Sequence, residues 1–550
     1  MIQLNGTAWH VTKNLFFALS YLRHPASDRI VWIDALAISQ ANIPERNMQV
    51  MRMRTIYSRA SCTLICVASA EWIQKEEDRN ECVNLLFNFA QDCVAQIQGD
   101  ATDNKWFCEK FAGIDTDVRI KIGLALTYVL LLPYWSRVWV IQEMMYSHNA
   151  ILMYRTYCIS YPNFVWFLPT MIDIAYHNLQ TNWEMLAARL DSMRLGLLKH
   201  LPLLKREVEC LLLPRASARR GQYLTLTDWM EYAHCRISTD PRDKIFGFYG
   251  CFPQEVRRLI TVDYSKEMPE VLTQITPLLF TEAKTLDVMF RRNGKLGLSA
   301  DVPSWVWIPE SFNIQATLQS PQPRIEIPLS EGRVWRASGS LPLTFSLLDH
   351  GKTLHAHGKT VFIVKFVAPP VVPVRIVGED KVKEVFADLG GREISTIMNH
   401  FRQLWQLFKP LSPAKQIVFI KAFHLGTPND LAILCLLLWM IDVIPLRQLG
   451  LPPAVKYTFE HCGRSMFSCF NVNGQSSADD EDVTYGLGPS NLVPRDKVCV
   501  LQGCSVPVIL RQVEDHHILI GEAKVPDIMC GEAVRWIEQG EEQPEDFFIK

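Results

Sequence analysis

The chain lacks a strong charge of either sign, a long hydrophobic run and the common nucleotide and metal signatures, and each absence excludes a class of function. Lysine plus arginine number 56 against 58 for aspartate plus glutamate, a net charge of −2. A chain so nearly neutral is neither a polycation whose whole surface engages nucleic acid nor an acidic tail protein, and no nucleic-acid partner is expected. The longest apolar stretches, Leu431 to Ile441 and Gly123 to Leu132, are closed by Asp442 and Pro133. Both fall well short of the ~20 residues that cross a bilayer, so they are expected as buried helices and no membrane span is expected. The opening residues Met1 to Gly6 contain no basic stretch followed by an apolar one, so no secretory leader is expected. The fifteen cysteines are odd in number and thinly spread, which suits reduced thiols in a cytoplasmic protein.

Signature motifs are also missing. The chain holds no G-x-x-x-x-G-K-[ST], G-x-G-x-x-G, H-E-x-x-H or G-x-S-x-G, so the usual phosphate cradles, zinc helices and nucleophile elbows are excluded. Gly486-Leu487-Gly488 stops after two glycines, and no C-x-x-C occurs. Cys62 and Cys66 lie in an apolar run and read as core thiols. His355 and His357 share one face of a strand at their spacing, but no third ligand stands near them in sequence, and no metal is expected. His516 and His517 face opposite sides of a strand. No resident cofactor is expected either.

What is present is a globular composition, 48% hydrophobic and 21% charged over 550 residues, enough for two to four domains at roughly 150 residues each. Val11, Leu15, Phe16, Leu19 and Leu22 repeat at helical spacing behind Thr12, a suitable N-cap. Arg29 to Asp34 (RIVWID) is a short apolar run that predicts a strand buried on both faces. A second helix follows, with Pro44 and Glu45 in its first turn and Val50, Met53, Ile56, Tyr57 and Ala60 as its apolar stripe. Strands are predicted over 62–68 and 150–154, and helices over 71–108 and 119–132. This alternation predicts a parallel sheet with helices on its faces. Residues 160–300 read as mostly helical, with Asp240-Pro241-Arg242-Asp243 as a helix start. Residues 309–330 read as a linker, 331–375 as short strands, 395–447 as helix and 472–491 as an acidic loop. Residues 497–523 read as strands and turns in which Arg511 and Glu522 are strand-face charges.

Two carboxylates stand out on physical grounds. Asp34 ends the predicted apolar strand, and open parallel sheets bind ligands beyond the carboxyl ends of their strands. A cap for the next turn is the plainer role. Glu143 follows Trp135 and Trp139, spaced as on one helix, in a nearly uncharged neighbourhood. Apolar surroundings raise a carboxyl pKa unless a donor pairs with it, and a structural pair with Arg137 is the plainer reading there.

At these residues the chain resembles the heterokaryon incompatibility (HET) domain of filamentous fungi. The resemblance rests on Trp32, Ile33, Asp34, Ala35, Ile38, Gln40, Glu45, Arg46, Met53, Ile56, Tyr57 and Ala60, then on Arg137, Trp139, Gln142 and Glu143. DPRDKIFGFYG (240–250), VDYSK (262–266) and PSWVW (303–307) are similar to the helical region that often follows, and YGLGP (485–489), 498–511 and 528–533 to the usual carboxyl-terminal segment. Ala37 and Ser39 depart from the family's cysteine and asparagine. The family's opening strand has no counterpart, so a copy lacking that strand is expected.

The resemblance implies a division into a HET domain over 1–155, a helical region over 156–310 and an α+β region over 311–550 with a β-rich end from about 480. It also implies a TIR-like (flavodoxin-like) α/β fold at the amino end, by likeness to Toll/interleukin-receptor domains, some of which cleave NAD with a glutamate in a tryptophan-containing segment. On that reading Glu143 is catalytic, Asp34, Arg137, Trp139 and Gln142 bind, and NAD is a substrate and not a resident cofactor. The family's role is programmed cell death in allorecognition between fused fungal cells, with protein partners or self-association. A non-enzymatic signalling module and an inactive truncated copy remain as alternatives.

Overall fold

In a computed structural model the described residues are 1–24, 26–67, 77–96, 104–168, 171, 223–234, 236–290, 302–308, 336–367, 464–472, 483–539 and 543–550. The predicted linker at 309–330, the predicted helices over 395–447 and the apolar run 431–441 lie outside them. The chain divides into two compact units, one built on Met1–Lys266 and the other on Glu267–Glu310 and Gln315–Lys550.

The first unit mixes helices with small sheets. It opens on a hairpin of β1 (Ile2–Leu4) and β2 (Thr7–Trp9), joined through Asn5 and Gly6, both at positive φ. Asn-Gly is the strongest short hairpin signal because both turn residues tolerate that backbone. The helix α1 (Lys13–Leu22) starts as expected, with the Thr12 hydroxyl accepting from Leu15 N, although none of its residues is buried.

Arg29–Ile33 differs from expectation. The segment forms no strand, and Ile30, Val31 and Trp32 are 102%, 42% and 40% exposed. Apolar residues make a buried strand only where a ladder partner takes up the backbone groups, and none of the described strands pairs with this segment. Asp34 therefore opens a helix, α2 (Asp34–Ala37), and does not end a strand.

After α3 (Ile43–Arg59), capped by Asn42, comes β3 (Thr63–Cys66). Then follow α4 (Glu77–Gln96), α5 (Asn104–Ala112), α6 (Thr116–Leu130) and α7 (Val140–Tyr146). Every residue of α6 from Ile122 to Leu130 is buried, as its apolar run predicts. The strand β4 (Ala150–Tyr154) runs parallel to β3, and β5 (Tyr157–Ser160) runs antiparallel to β4. Among the described residues of this unit the parallel element is one strand pair within a three-stranded sheet. The described residues of this unit also include the short helices α8 (Leu226–His234), α9 (Asp243–Phe246) and α10 (Gln254–Leu259).

The second unit carries α11 (Met268–Ala283), opened by a reciprocal Glu267–Glu270 capping box, and an eight-stranded sheet. Its strands are β6 (Phe345–Leu348), β7 (Thr353–Val367), β8 (Arg464–Asn471), β9 (Val483–Pro489), β10 (Lys497–Leu501), β11 (Val508–Val513), β12 (His516–Glu522) and β13 (Glu545–Ile549). A helix, α12 (Glu532–Glu538), precedes β13. Strands β7, β10, β11, β12 and β13 pair in a closed ring, and β8 and β9 extend from the far end of β7. The predicted loop at 472–491 is corrected over Val483–Pro489, which is a strand, while 473–482 lie outside the described residues. Its glycines serve packing: a Cβ on Gly486 would lie 2.4 Å from the Phe467 ring. Arg511 is a strand-face charge, 2.8 Å from Asp496, but Glu522 lies inside, 2.6 Å from the buried Arg464 guanidinium.

Candidate functional site

Asp34, Tyr57, Tyr134, Arg137 and Glu143 converge in the first unit from four places in the chain. Asp34 stands in the first turn of α2, where its carboxylate accepts from Ala35 N at 2.7 Å. Tyr57 lies on the apolar stripe of α3, and the exposed Trp32 ring meets it edge-on with centroids 6.3 Å apart. Tyr134 and Arg137 come from the turn before α7, and Glu143 lies in the first turn of α7, where the helix dipole favours a negative group. Trp135 and Trp139 do not share a helix. Trp135 is buried in the turn, with its indole N–H bonded to Val129 O at 2.6 Å, and Trp139 is the residue before α7.

The Tyr134 hydroxyl donates to Glu143 Oε2 at 2.6 Å. Burial raises the Glu143 carboxyl above its ordinary value. Arg137 and the Tyr134 hydrogen bond oppose the rise, Asp34 adds to it, and the net direction is upward. Burial also pushes the Tyr57 and Tyr134 phenols well up, with Glu143 the next cause for each, so both stay protonated donors. Desolvation pulls Arg137 down, but Glu143, Tyr134, Asp34 and Tyr57 together hold it above its ordinary value. Asp34 and Glu143 thus act on the same tyrosine and the same arginine. Two carboxylates, a fixed cation and two hydroxyls offer hydrogen-bond donors and acceptors to a polar ligand, whereas the guanidinium would repel a bare metal ion.

Trp139 and Gln142 have other partners. The Trp139 indole donates to Asp243 Oδ2 at 3.1 Å, and the buried Gln142 amide donates to Gly247 O at 2.8 Å. Gly250 leaves room for this approach, because a Cβ there would lie 2.2 Å from Gln142 Oε1. Around Asp243 a second charged cluster forms. Arg46 lies 3.0 Å from Asp240 and 3.6 Å from Asp243, with its guanidinium 3.5 Å from the Tyr264 ring centroid. Arg242 grips both oxygens of Asp240 at 2.9 and 3.0 Å, and the Tyr264 hydroxyl donates to Asp243. Residues that carried the resemblance in separate stretches, Arg46, Trp139, Gln142, Asp240, Asp243 and Tyr264, therefore interlock.

Sequence reasoning missed Tyr57 and Tyr134 as members of the site. Tyr57 was placed in a core stripe, and Tyr134 lies nine residues before Glu143, a spacing that brings two side chains together only because a turn intervenes.

Residues 1–143 match the family model described as heterokaryon incompatibility protein (HET). The chain is similar to heterokaryon incompatibility protein 6, OR allele, of Neurospora crassa, 22% identical over 94% of this chain and 83% of that protein. No solved structure matches it. The likeness of this chain to HET proteins thus rests on its residues 1–143 and on that full-length relative.

Proposed function

We propose that the protein acts in heterokaryon incompatibility, triggering cell death after fusion of unlike fungal cells, and that the Asp34–Arg137–Glu143 cluster is its chemical centre, cleaving NAD in the manner of a TIR-like domain. The observation that carries this reading is the Glu143 carboxyl, held above its ordinary pKa beside Asp34 and Arg137 and hydrogen-bonded by Tyr134. In NAD cleavage the bond between ribose and nicotinamide breaks, and its electron pair leaves with the neutral nicotinamide. Positive charge builds on the ribose, water adds, and a proton is released. A carboxylate beside the ribose stabilises that charge. Glu143 takes this role, Asp34 and the tyrosine hydroxyls orient the sugar, and Arg137 meets a phosphate. Trp32, edge-on to Tyr57 and exposed, offers the aromatic face. Trp139 and Gln142 hold α7 in place through their bonds to Asp243 and Gly247. The described cysteines are free thiols, which agrees with action in the reducing cytoplasm.

A second reading is a non-enzymatic module acting through a protein partner or self-association. The exposed apolar run Ile30-Val31-Trp32 favours it. One experiment separates the readings: full-length protein is incubated with NAD and nicotinamide release is followed, beside Glu143→Gln and a cell-death assay in hyphae. Release abolished in Glu143→Gln supports cleavage. No release with toxicity kept in Glu143→Gln supports the module, and loss of both activities in the wild type supports an inactive copy.

A further inference from the structure

The second unit brings together a group of side chains that sequence spacing leaves apart. His355 and His357 stand two residues apart on β7 and so on one face. Strand β13 runs antiparallel to β7 with Asp546 opposite His357 and Phe548 opposite His355. Asp546 Oδ1 is 3.1 Å from His355 Nε2 and 2.7 Å from His357 Nδ1. One donor atom from each residue lies within 4.8 Å of the others. The missing third ligand is therefore supplied by register across 189 residues of chain.

The neighbours hold the histidines in place. Ser346 on β6, opposite His355, sits with its hydroxyl 3.1 Å from His355 Nδ1. Once an ion is bound, the proton on Nδ1 faces that hydroxyl and the Nε2 lone pair serves the ion, which is how outer partners fix a metal-binding histidine. The Phe548 ring stacks on His355 at 4.9 Å and 12°, fixing its plane. Lys359, two residues after His357 on β7, is paired with Glu545 at 3.1 Å. The side chains of His355, His357 and Asp546 are 21%, 40% and 60% exposed, so solvent reaches the group.

We propose that His355, His357 and Asp546 form a binding site for one divalent transition-metal ion of the zinc class, joining β7 to β13 and open to solvent at its fourth position. Two imidazoles and one carboxylate are a donor set such ions take, at roughly 2.0–2.2 Å from each ligand atom. Entry of the ion replaces the two hydrogen bonds to Asp546 and releases any proton between the ring nitrogens and the carboxylate. The bound ion ties the last strand to the long central one.

The test is titration of full-length protein with Co2+, followed by visible absorption. The expected result is saturable binding of one ion with a d–d band and no thiolate charge-transfer band, reversed by Zn2+. Asp546→Asn, at an exposed position, and His357→Ala each weaken binding at least about tenfold, and Ser346→Ala weakens it by about tenfold. Hydrogen exchange of 545–549 slows when the ion is bound, a readout that a purely hydrogen-bonded triad would not give. The proposal is overturned by no saturable band, by a band of thiolate character, or by binding that Asp546→Asn and the double variant His355→Ala, His357→Ala leave unchanged while circular dichroism shows them folded.

Discussion

Glu522 and Glu143 are both glutamates drawn away from bulk water, and their surroundings treat them differently. In the second unit Glu522 meets the Arg464 guanidinium at 2.6 Å, with side chains 5% and 1% exposed. In the first unit Glu143 has a tyrosine hydroxyl as its hydrogen-bond donor and shares its arginine with the like-charged Asp34. A buried charge with a direct counter-charge serves the architecture. One left with a raised pKa among shared partners is the kind of group the proposed chemistry would use.

The contrast can be broken or sharpened by substitution, beginning with the largest effect. Arg464→Ala leaves a buried carboxylate uncompensated and is expected to cost about 3–5 kcal/mol, read as a shifted chemical denaturation midpoint. Glu143→Gln keeps an acceptor for Tyr134 and leaves that midpoint nearly in place. On the proposed cleavage, nicotinamide release is in contrast expected to fall by roughly 10²–10³, as for loss of one preorganised electrostatic partner. If Glu143→Gln unfolds the first unit as Arg464→Ala does the second, the contrast fails.

Next in size is Gly486→Ala, whose new methyl group meets the Phe467 ring. It is expected to destabilise the sheet by about 1–3 kcal/mol, measured by thermal melting. Smaller still is a pH effect. Because the folded-state pKa of Glu143 is raised above its ordinary 4.5, its contribution to stability is full below that value and is lost as pH rises through the folded pKa. Glu143→Gln should remove that loss, so the variant gains relative to the wild type as pH increases above 4.5, while the proposed cleavage by the wild type is expected to rise over the same window. Asp34→Asn removes a like charge and shifts the rising limb of the activity profile to lower pH. Smallest is Thr12→Ala, which deletes the α1 cap. It is expected to cost about 1 kcal/mol, seen as faster amide exchange in Lys13–Leu22 and not as global unfolding, since that helix buries none of its residues.

Local chemistry was legible in the sequence. Thr12 caps α1, Pro44 and Glu45 lie in the first turn of α3, and the short apolar runs at 63–66 and 150–154 are strands, because each signal acts within a turn or two of chain. Partnership was not. Arg29–Ile33 has the composition of an inner strand but none of the described strands pairs with it, so composition alone misplaced Asp34. The glycines of 485–489 look like loop residues until Phe467 is seen to need the space. In the site, Asp34, Arg137 and Glu143 were recognisable from family-like motifs, whereas Tyr57, Tyr134 and the bond from Trp139 to Asp243 depend on tertiary folding. The same holds for Asp546 beside His357, where strand register makes the neighbourhood.

The ring of β7, β10, β11, β12 and β13 has a temporal consequence. Its closing member is β13, which enters between β12 and β7, with Lys550 N bonded to His517 O. During synthesis the other four strands can assemble while two borders, on β7 and β12, stay unzipped. Until residues 545–549 clear the ribosome, these borders are open to stray strands from neighbouring nascent chains, so this unit should lean on chaperones until β13 has been made.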